Sequence, residues 1–400
     1  MRTRNIFILF TMLALHLSAC TDIEDGTTDI DSWPAINEYT LAHPCMLHTA
    51  ADLSYVASKL TVAPWSEGYD KLKNSGYSYA GYVPTPQEVL GRMDQGNWAS
   101  KFPEWWNNYT YFYKDAAAAY QLALRWKLEG DVACGQTAVK ILNAWAETCK
   151  GLVRVKSLAN DRTYDANGEI ADPNEYLISI NVHQMANAAE IMRTDETLFT
   201  KAQLSAFQTM MKNVFYPAAS DFLAHKEACK QHSWLNWDLA QMTSILSIGI
   251  LCDDQDKINE AILYFKYGVG NGSIDNAVPF LHQDPDGHGV LGQGQESGRD
   301  QGHATLCIAL MGLSAKWHII SARTFLLIRI IKYLLWQNTR LSIIYGKTLM
   351  IGLLPPMRNL CIAKRDSLIV FTRTVVGNVL RFLPKKKMIS REERFVLVGH

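Results

Sequence analysis

The chain has 400 residues, with 39 basic and 39 acidic side chains and no formal net charge when histidines are neutral. That balance excludes a global attraction to nucleic acid, and the length allows a large core in one domain or two. Eight cysteines, none in a CxxC pair, give no zinc pattern; setting Cys20 aside leaves seven, an odd number that argues against a disulfide framework.

At the start of the chain, Arg2 and Arg4 precede an apolar run from Ile6 to Leu17, followed by Leu17-Ser18-Ala19-Cys20. A short basic region, a short apolar core and small residues before a cleavage point describe a secretion signal. A membrane span would need roughly 20 apolar residues. The cysteine after Ser18-Ala19 resembles a bacterial lipobox, which makes Cys20 the expected lipidated first residue of an exported lipoprotein, facing the periplasm or the outer-membrane surface. Residues 1–20 are then the signal peptide. Residues 21–40, with Asp22, Glu24, Asp25 and Asp29, form an acidic tether.

From about Asp52 the pattern is helical. An Ala-rich amphipathic helix is expected over Lys114–Leu128, stopping at Gly130-Asp131, and a second over Asp131–Glu147. Further helices follow at Ile178–Arg193, Leu204–His225, Trp234–Leu251, Gln255–Tyr267 and His303–Ala315. Few segments alternate as strands do. Successive helix pairs joined by loops point to an all-α fold, an incomplete α/α toroid of paired inner and outer helices over residues 41–316. Two long polar loops, Ser157–Tyr176 and Gly268–Gly302, are the expected lining of a cleft.

The chain changes character at about Trp317. Clean periodicity stops and acids become scarce. Two readings stand for residues 317–400: a genuine basic C-terminal domain, or a poorly structured tail produced by a shift in reading frame near Lys316, the favoured one. On that second reading the last helix pairs of the ring are missing, which puts the activity of this copy in doubt.

Two stretches carry chemistry. Gln231-His232-Ser233-Trp234-Leu235-Asn236-Trp237-Asp238 places two amides, an imidazole and a carboxylate among two tryptophans at a helix start. Gly292-Gln293-Gly294-Gln295-Glu296-Ser297-Gly298-Arg299-Asp300-Gln301-Gly302-His303 sets polar side chains between glycines, which permit tight turns close to a ligand. No nucleophile elbow and no phosphate loop is visible. Amide, imidazole and guanidinium groups suit β-elimination from a uronic acid. Neutralising the carboxylate makes the C5 proton removable and stabilises the enolate-like intermediate, while a histidine or tyrosine moves the protons. A glycoside hydrolase would need two carboxylates flanking the bond; Glu296 with Asp300, or Asp238 with Glu296, keep that reading open. A non-catalytic glycan-binding lipoprotein is the third.

At these stretches the sequence resembles the alginate-lyase-type polysaccharide lyase superfamily, in the subgroup acting on glucuronan and alginate. The similarity runs from His43-Pro44-Cys45-Met46-Leu47-His48-Thr49 through Asp115–Trp145 and Asn187-Ala188-Ala189-Glu190-Ile191-Met192-Arg193 to Gln295–His303. The resemblance implies an α/α-toroid enzyme, an acidic polysaccharide as partner, and neither a cofactor nor a metal. Gln231-His232 is similar to the superfamily's Asn-His pair, with Gln in place of Asn. Gln231 and Arg299 are thus the expected carboxylate neutralisers and His232 the proton-transfer group. Asn187, Trp234, Asn236, Glu296, Gln301 and His303 are the expected sugar-holding or supporting residues. The family also uses a catalytic tyrosine; Tyr264 and Tyr267 are near in sequence, but neither sits in a matching motif.

Overall fold

The computed structural model describes residues 38–92, 108–152, 154–155, 164–165, 178–224, 234–283 and 290–320. Expectations placed on Cys20, on the tether before Glu38, on Gln231 and His232, on most of the 157–176 loop and on the tail from residue 321 lie outside them. Among the described residues, no helix is long and apolar enough to cross a membrane.

The fold is all-α. In chain order the helices are α1 (Ala50–Ala57), α2 (Trp65–Lys73), α3 (Tyr109–Glu129), α4 (Val132–Thr148), α5 (Val182–Met192), α6 (Lys201–Met210), α7 (Tyr216–Ala224), α8 (Leu235–Leu251), α9 (Gln255–Tyr267), α10 (Ile274–Ala277) and α11 (Gln301–Ile320). Among the described residues, three two-stranded ribbons accompany them. The parallel pair is β1 (Val89–Leu90) with β2 (Gly151–Leu152); the antiparallel pairs are β3 (Arg154–Val155) with β4 (Tyr164–Asp165), and β5 (Phe280–Gln283) with β6 (Val290–Gln293).

α3 buries Phe112, Asp115, Ala116, Ala119, Leu122 and Ala123, the i, i+3, i+4 stripe its sequence predicts. It ends at Gly130, whose φ of 79° is the left-handed conformation that only glycine adopts without strain. Asp131 then accepts a hydrogen bond from the Cys134 N–H and starts α4, so a two-residue turn folds α4 back along α3. α8 and α9 repeat this arrangement. Their close approach depends on Gly249, where an added Cβ would stand 2.8 Å from the Ile258 backbone nitrogen.

The helices form two rows. α3, α5, α8 and α11 pack successively on one another as an inner row, with α4, α7 and α9 against its outside and α6 packed on α4. α8 is central: every residue but Trp237 is buried, which explains why its sequence is apolar on all sides. Hydrogen bonds fix the directions. Lys127 near the end of α3 donates to Thr194 just after α5 (2.7 Å). Arg193 at the end of α5 donates to the Leu251 carbonyl at the end of α8 (3.2 Å). Asn236 at the start of α8 donates to Glu296 just ahead of α11 (2.7 Å). The four inner helices are therefore parallel, and their N-termini share one end of the molecule.

Several details depart from the sequence expectation: α3 already begins at Tyr109 and α5 only at Val182. The helix expected over Leu204–His225 is divided by a π-turn at Met211–Phe215. Pro217 lies just beyond it, lacks a backbone N–H and cannot continue an unbroken i→i−4 ladder; the wider turn absorbs this. The last helix starts two residues earlier than expected and runs to Ile320, past the point where the sequence changes character. Its Lys316 is 1% exposed and paired with Asp52 at 3.0 Å. The 268–302 loop holds α10 and the β5–β6 hairpin instead of irregular chain.

Candidate active site

The shared N-terminal end of the inner helices gathers most of the described candidates. α8 has Trp234 at its N-cap, a side chain that accepts no hydrogen bond from the helix. The first N–H groups of a helix need acceptors, and here they come from sixty residues along the chain. Leu235 N–H donates to Gln295 Oε1 (3.1 Å) and Asn236 N–H to Glu296 Oε1 (2.7 Å).

Glu296 is fully buried and is the hub of this end. Besides Asn236 it receives Arg299 Nη1 on Oε2 (3.1 Å) and the Cys307 thiol of α11 on Oε1 (3.4 Å). Arg299 stays partly exposed, and its guanidinium lies 4.3 Å from the centroid of the Trp234 ring. The ion pair and the cation–π stack fix the guanidinium plane from two sides. Trp234 is 40% exposed. Asn236 is buried, and its Oδ1 has no hydrogen-bond partner among the described residues.

Asp300 caps α11 by accepting the His303 backbone N–H (2.9 Å), and the His303 imidazole bonds the same carboxylate. Burial would raise the Asp300 carboxyl, but the His303 bonds and charge hold it below its usual value. The backbone of Gln301 opens α11. Trp234, Asn236, Glu296, Arg299 and His303 thus come together at one end.

Asn187 does not join them. It is buried in α5, accepts the Leu47 N–H (3.1 Å) and donates to the His183 carbonyl (2.7 Å). It borders a small cavity with Met46, Thr243 and Leu313 instead. Its amide is spent on holding the segment that carries the His43–Thr49 motif.

The two tyrosines separate clearly. Tyr264 is buried and donates to Asp238 Oδ2 at 2.6 Å; the Gly272 N–H bonds the same oxygen at 2.9 Å. Burial, then the Asp238 charge and hydrogen bond, push its hydroxyl well above the usual range. Tyr267, the last residue of α9, is 43% exposed.

The sequence reading missed a second polar cluster, at the C-terminal ends of α5 and α8. His43 bonds Glu190 through Nδ1 (2.6 Å) and Asp253 through Nε2 (2.7 Å), and Arg193 reaches Glu190 (3.4 Å) and Asp253 (3.2 Å). His43, Cys45 and Glu190 offer atoms within 4.8 Å of one another, a set that a transition metal accepts. The guanidinium of Arg193 lies 3.1 Å from His43 Nδ1. It puts a positive charge where such an ion would sit, so the cluster is built as an ion network. Motif similarity touched His43, Glu190 and Arg193 separately, but nothing local in the sequence joins them.

The family model described as alginate lyase matches residues 59–277, just over half of the 400-residue chain. The match ends before the Glu296–His303 stretch. Among solved structures, one described as an alginate lyase from Bacteroides ovatus is similar at 12% identity and a TM-score of 0.48, over 90% of this chain and 100% of that one. No curated protein matches.

Proposed function

The chain belongs to the alginate lyase family, and from that membership we propose that it cleaves a uronic-acid-containing polysaccharide, such as alginate or glucuronan, by β-elimination. The observation that carries the reading is Arg299, braced by Glu296 against an exposed Trp234 at the end where four parallel helices begin. Each helix N-terminus carries a partial positive charge, which favours anions. An acidic polymer meets a fixed guanidinium and an aromatic face there.

In this mechanism the uronate carboxylate is neutralised by Arg299 and by the amide of Gln231. The C5–H bond then breaks, its electrons moving into an enolate-like system stabilised by those groups. His232, three residues ahead of Leu235, takes the proton. The electrons return to form the C4–C5 double bond as the C4–O bond breaks, and a tyrosine or histidine protonates the departing oxygen. Tyr267 is exposed at the proper end for that role, whereas Tyr264 is committed to Asp238. Hydrolysis finds less support, because Asp238 and Glu296 are buried and held by internal donors. We also propose that the chain is exported as a lipoprotein through Cys20, which brings the site to polymers outside the cytoplasm.

The test is incubation of the full chain with alginate, glucuronan and glycosaminoglycans. A 4,5-unsaturated uronate, read by its ultraviolet absorbance, supports the lyase. New reducing ends without that absorbance make it a hydrolase, and binding without either makes it a glycan-binding protein.

A further inference from the structure

The β5–β6 hairpin leaves both faces of β5 in solvent. Phe280 is 58% exposed, Leu281 49%, and His282 and Gln283 are also exposed. An isolated two-stranded ribbon is marginal in water, and this one adds two large apolar side chains to the solvent-facing surface. Its base is well held: Val278 is buried, and the Gln295 N–H donates to the Ala277 carbonyl at 2.9 Å.

The register organises one face. Phe280 pairs with Gln293 and His282 with Leu291. Strand alternation therefore puts Phe280, His282 and Gln293 on the same side, with Leu281 on the other. There His282 Nε2 bonds Gln293 Oε1 at 2.7 Å. An exposed ring thus stands beside a pre-oriented imidazole–amide pair. With its oxygen committed to the imidazole, the Gln293 amide presents N–H donors, the polarity that hydroxyl and carboxylate oxygens require.

This face continues the site described above. Gln293 is two residues from Gln295, so their Cα atoms are within about 7 Å. Gln295 in turn holds Leu235, the neighbour of Trp234. Gln295 thus ties the base of the ribbon to the start of α8, where Trp234 lies.

We propose that Phe280, His282 and Gln293 form an additional sugar-binding subsite, away from the scissile bond. Phe280 stacks on the apolar face of a pyranose ring, and the His282–Gln293 pair hydrogen-bonds its oxygens. The proposal rests on the reading that the chain acts on an acidic polysaccharide. A protein partner suits the ribbon less well, since a stable interface needs on the order of 800 Å² per side, and two apolar side chains on opposite faces of a narrow hairpin do not supply it.

The test compares the full chain with its Phe280→Ala, Gln293→Ala and Leu281→Ala variants. Each is assayed for unsaturated product on long polymer and on the shortest oligosaccharide cleaved, and for retardation in gels containing the polymer. Phe280→Ala is expected to raise KM on polymer about three- to tenfold, the range of one aromatic contact. Gln293→Ala should move in the same direction, with kcat and the short substrate unaffected. Leu281→Ala, on the opposite face, should behave as the parent. An unchanged polymer KM in Phe280→Ala, an equal effect on the short substrate, or an equal effect from Leu281→Ala would overturn the subsite. If the parent chain makes no unsaturated product yet is retarded by polymer, and Phe280→Ala is not, the subsite stands and the lyase chemistry falls. A parent chain that is not retarded and makes no product removes both.

Discussion

The carboxylate of Glu296 lies 2.7 Å from the backbone nitrogen of Asn236, sixty residues earlier in the chain, and closes the N-terminus of a helix that has no capping side chain of its own. That contact joins the two polar stretches of the sequence into one structure. Replacing Glu296 by Ala leaves a buried N–H and the Arg299 guanidinium without their acceptor. The expected cost is about 1–3 kcal/mol, read as a lower urea midpoint. Glu296→Gln keeps an acceptor oxygen and should cost less; equal losses in the two variants would show that the cap is unimportant.

Arg299 should not tolerate lysine. A lysine ammonium offers neither the planar stack on Trp234 nor the fork that meets Glu296. If Arg299 neutralises the substrate carboxylate, Arg299→Lys should lower kcat by about 10²- to 10³-fold, the usual loss for one transition-state donor. His232→Ala should abolish turnover. Steady-state rates with unchanged unfolding midpoints check both, and a wild-type rate in either variant removes that residue from the mechanism.

Tyr264→Phe separates structure from chemistry. The hydroxyl serves Asp238, and its loss removes one donor from a buried carboxylate. Stability should fall by about 1–3 kcal/mol, while kcat of the folded protein is retained. Loss of kcat at unchanged stability would instead make Tyr264 the catalytic tyrosine.

Stability should peak near pH 6.5. Burial alone would lower the His43 imidazole, but hydrogen bonds to Cys45 and Glu190, the Glu190 charge and the Asp253 bond raise it to about 10. A raised value means the folded state holds a proton that the unfolded state releases. The stabilisation is complete below about 6.5, the unfolded imidazole value, and is lost as pH rises toward 10. His48 and His183 act in the other direction. Burial lowers both to about 4, with the Lys316 charge adding to the effect on His48 and the Asp52 charge opposing it. Their unfolded forms take up protons first, so stability falls from pH 6.5 toward 4. Urea midpoints across pH 4–10 check this. His43→Gln should flatten the alkaline limb and His48→Gln the acid limb; limbs that stay unchanged would reject these assignments.

Cys20→Ala should move the protein from the membrane fraction to the soluble fraction after cell lysis. If it stays with the membrane, the anchor is not at Cys20.

The sequence exposed the parts of the fold that depend on local chemistry. The alanine stripe of α3, the Gly130–Asp131 stop and start, and the uniformly apolar α8 are each written within a few turns of helix. The π-turn was hidden, because Pro217 announces a disturbance but not how the preceding turn absorbs it. The candidate cluster was legible as a set of polar groups and not as wiring. Glu296 reads as a sugar ligand in a glycine-rich loop, yet its partners lie on α8 and α11. Asn187 reads as a polar face of a helix, yet Leu47, 140 residues away, takes its oxygen. The His43 network spans 147 residues to Glu190 and 210 to Asp253, distances over which periodicity carries no information.

Because the inner helices all begin at one end, the two rims of the molecule have unequal freedom to change. Chain leaving α3 and α8 turns at once, through Gly130–Asp131 and Cys252–Asp254, in contact with packed helix ends. Chain entering α3 and α5 arrives through the long connections Asn74–Asn108 and Cys149–Asn181. Insertions and substitutions on the entering rim can reshape what the molecule grips while the helix packing stays intact. The same edits on the opposite rim would break turns and the ion pairs that Asp131 and Asp253 make there. On the proposed function, preference for one polymer over another can therefore drift on one rim, while the other is held constant by the requirement to fold.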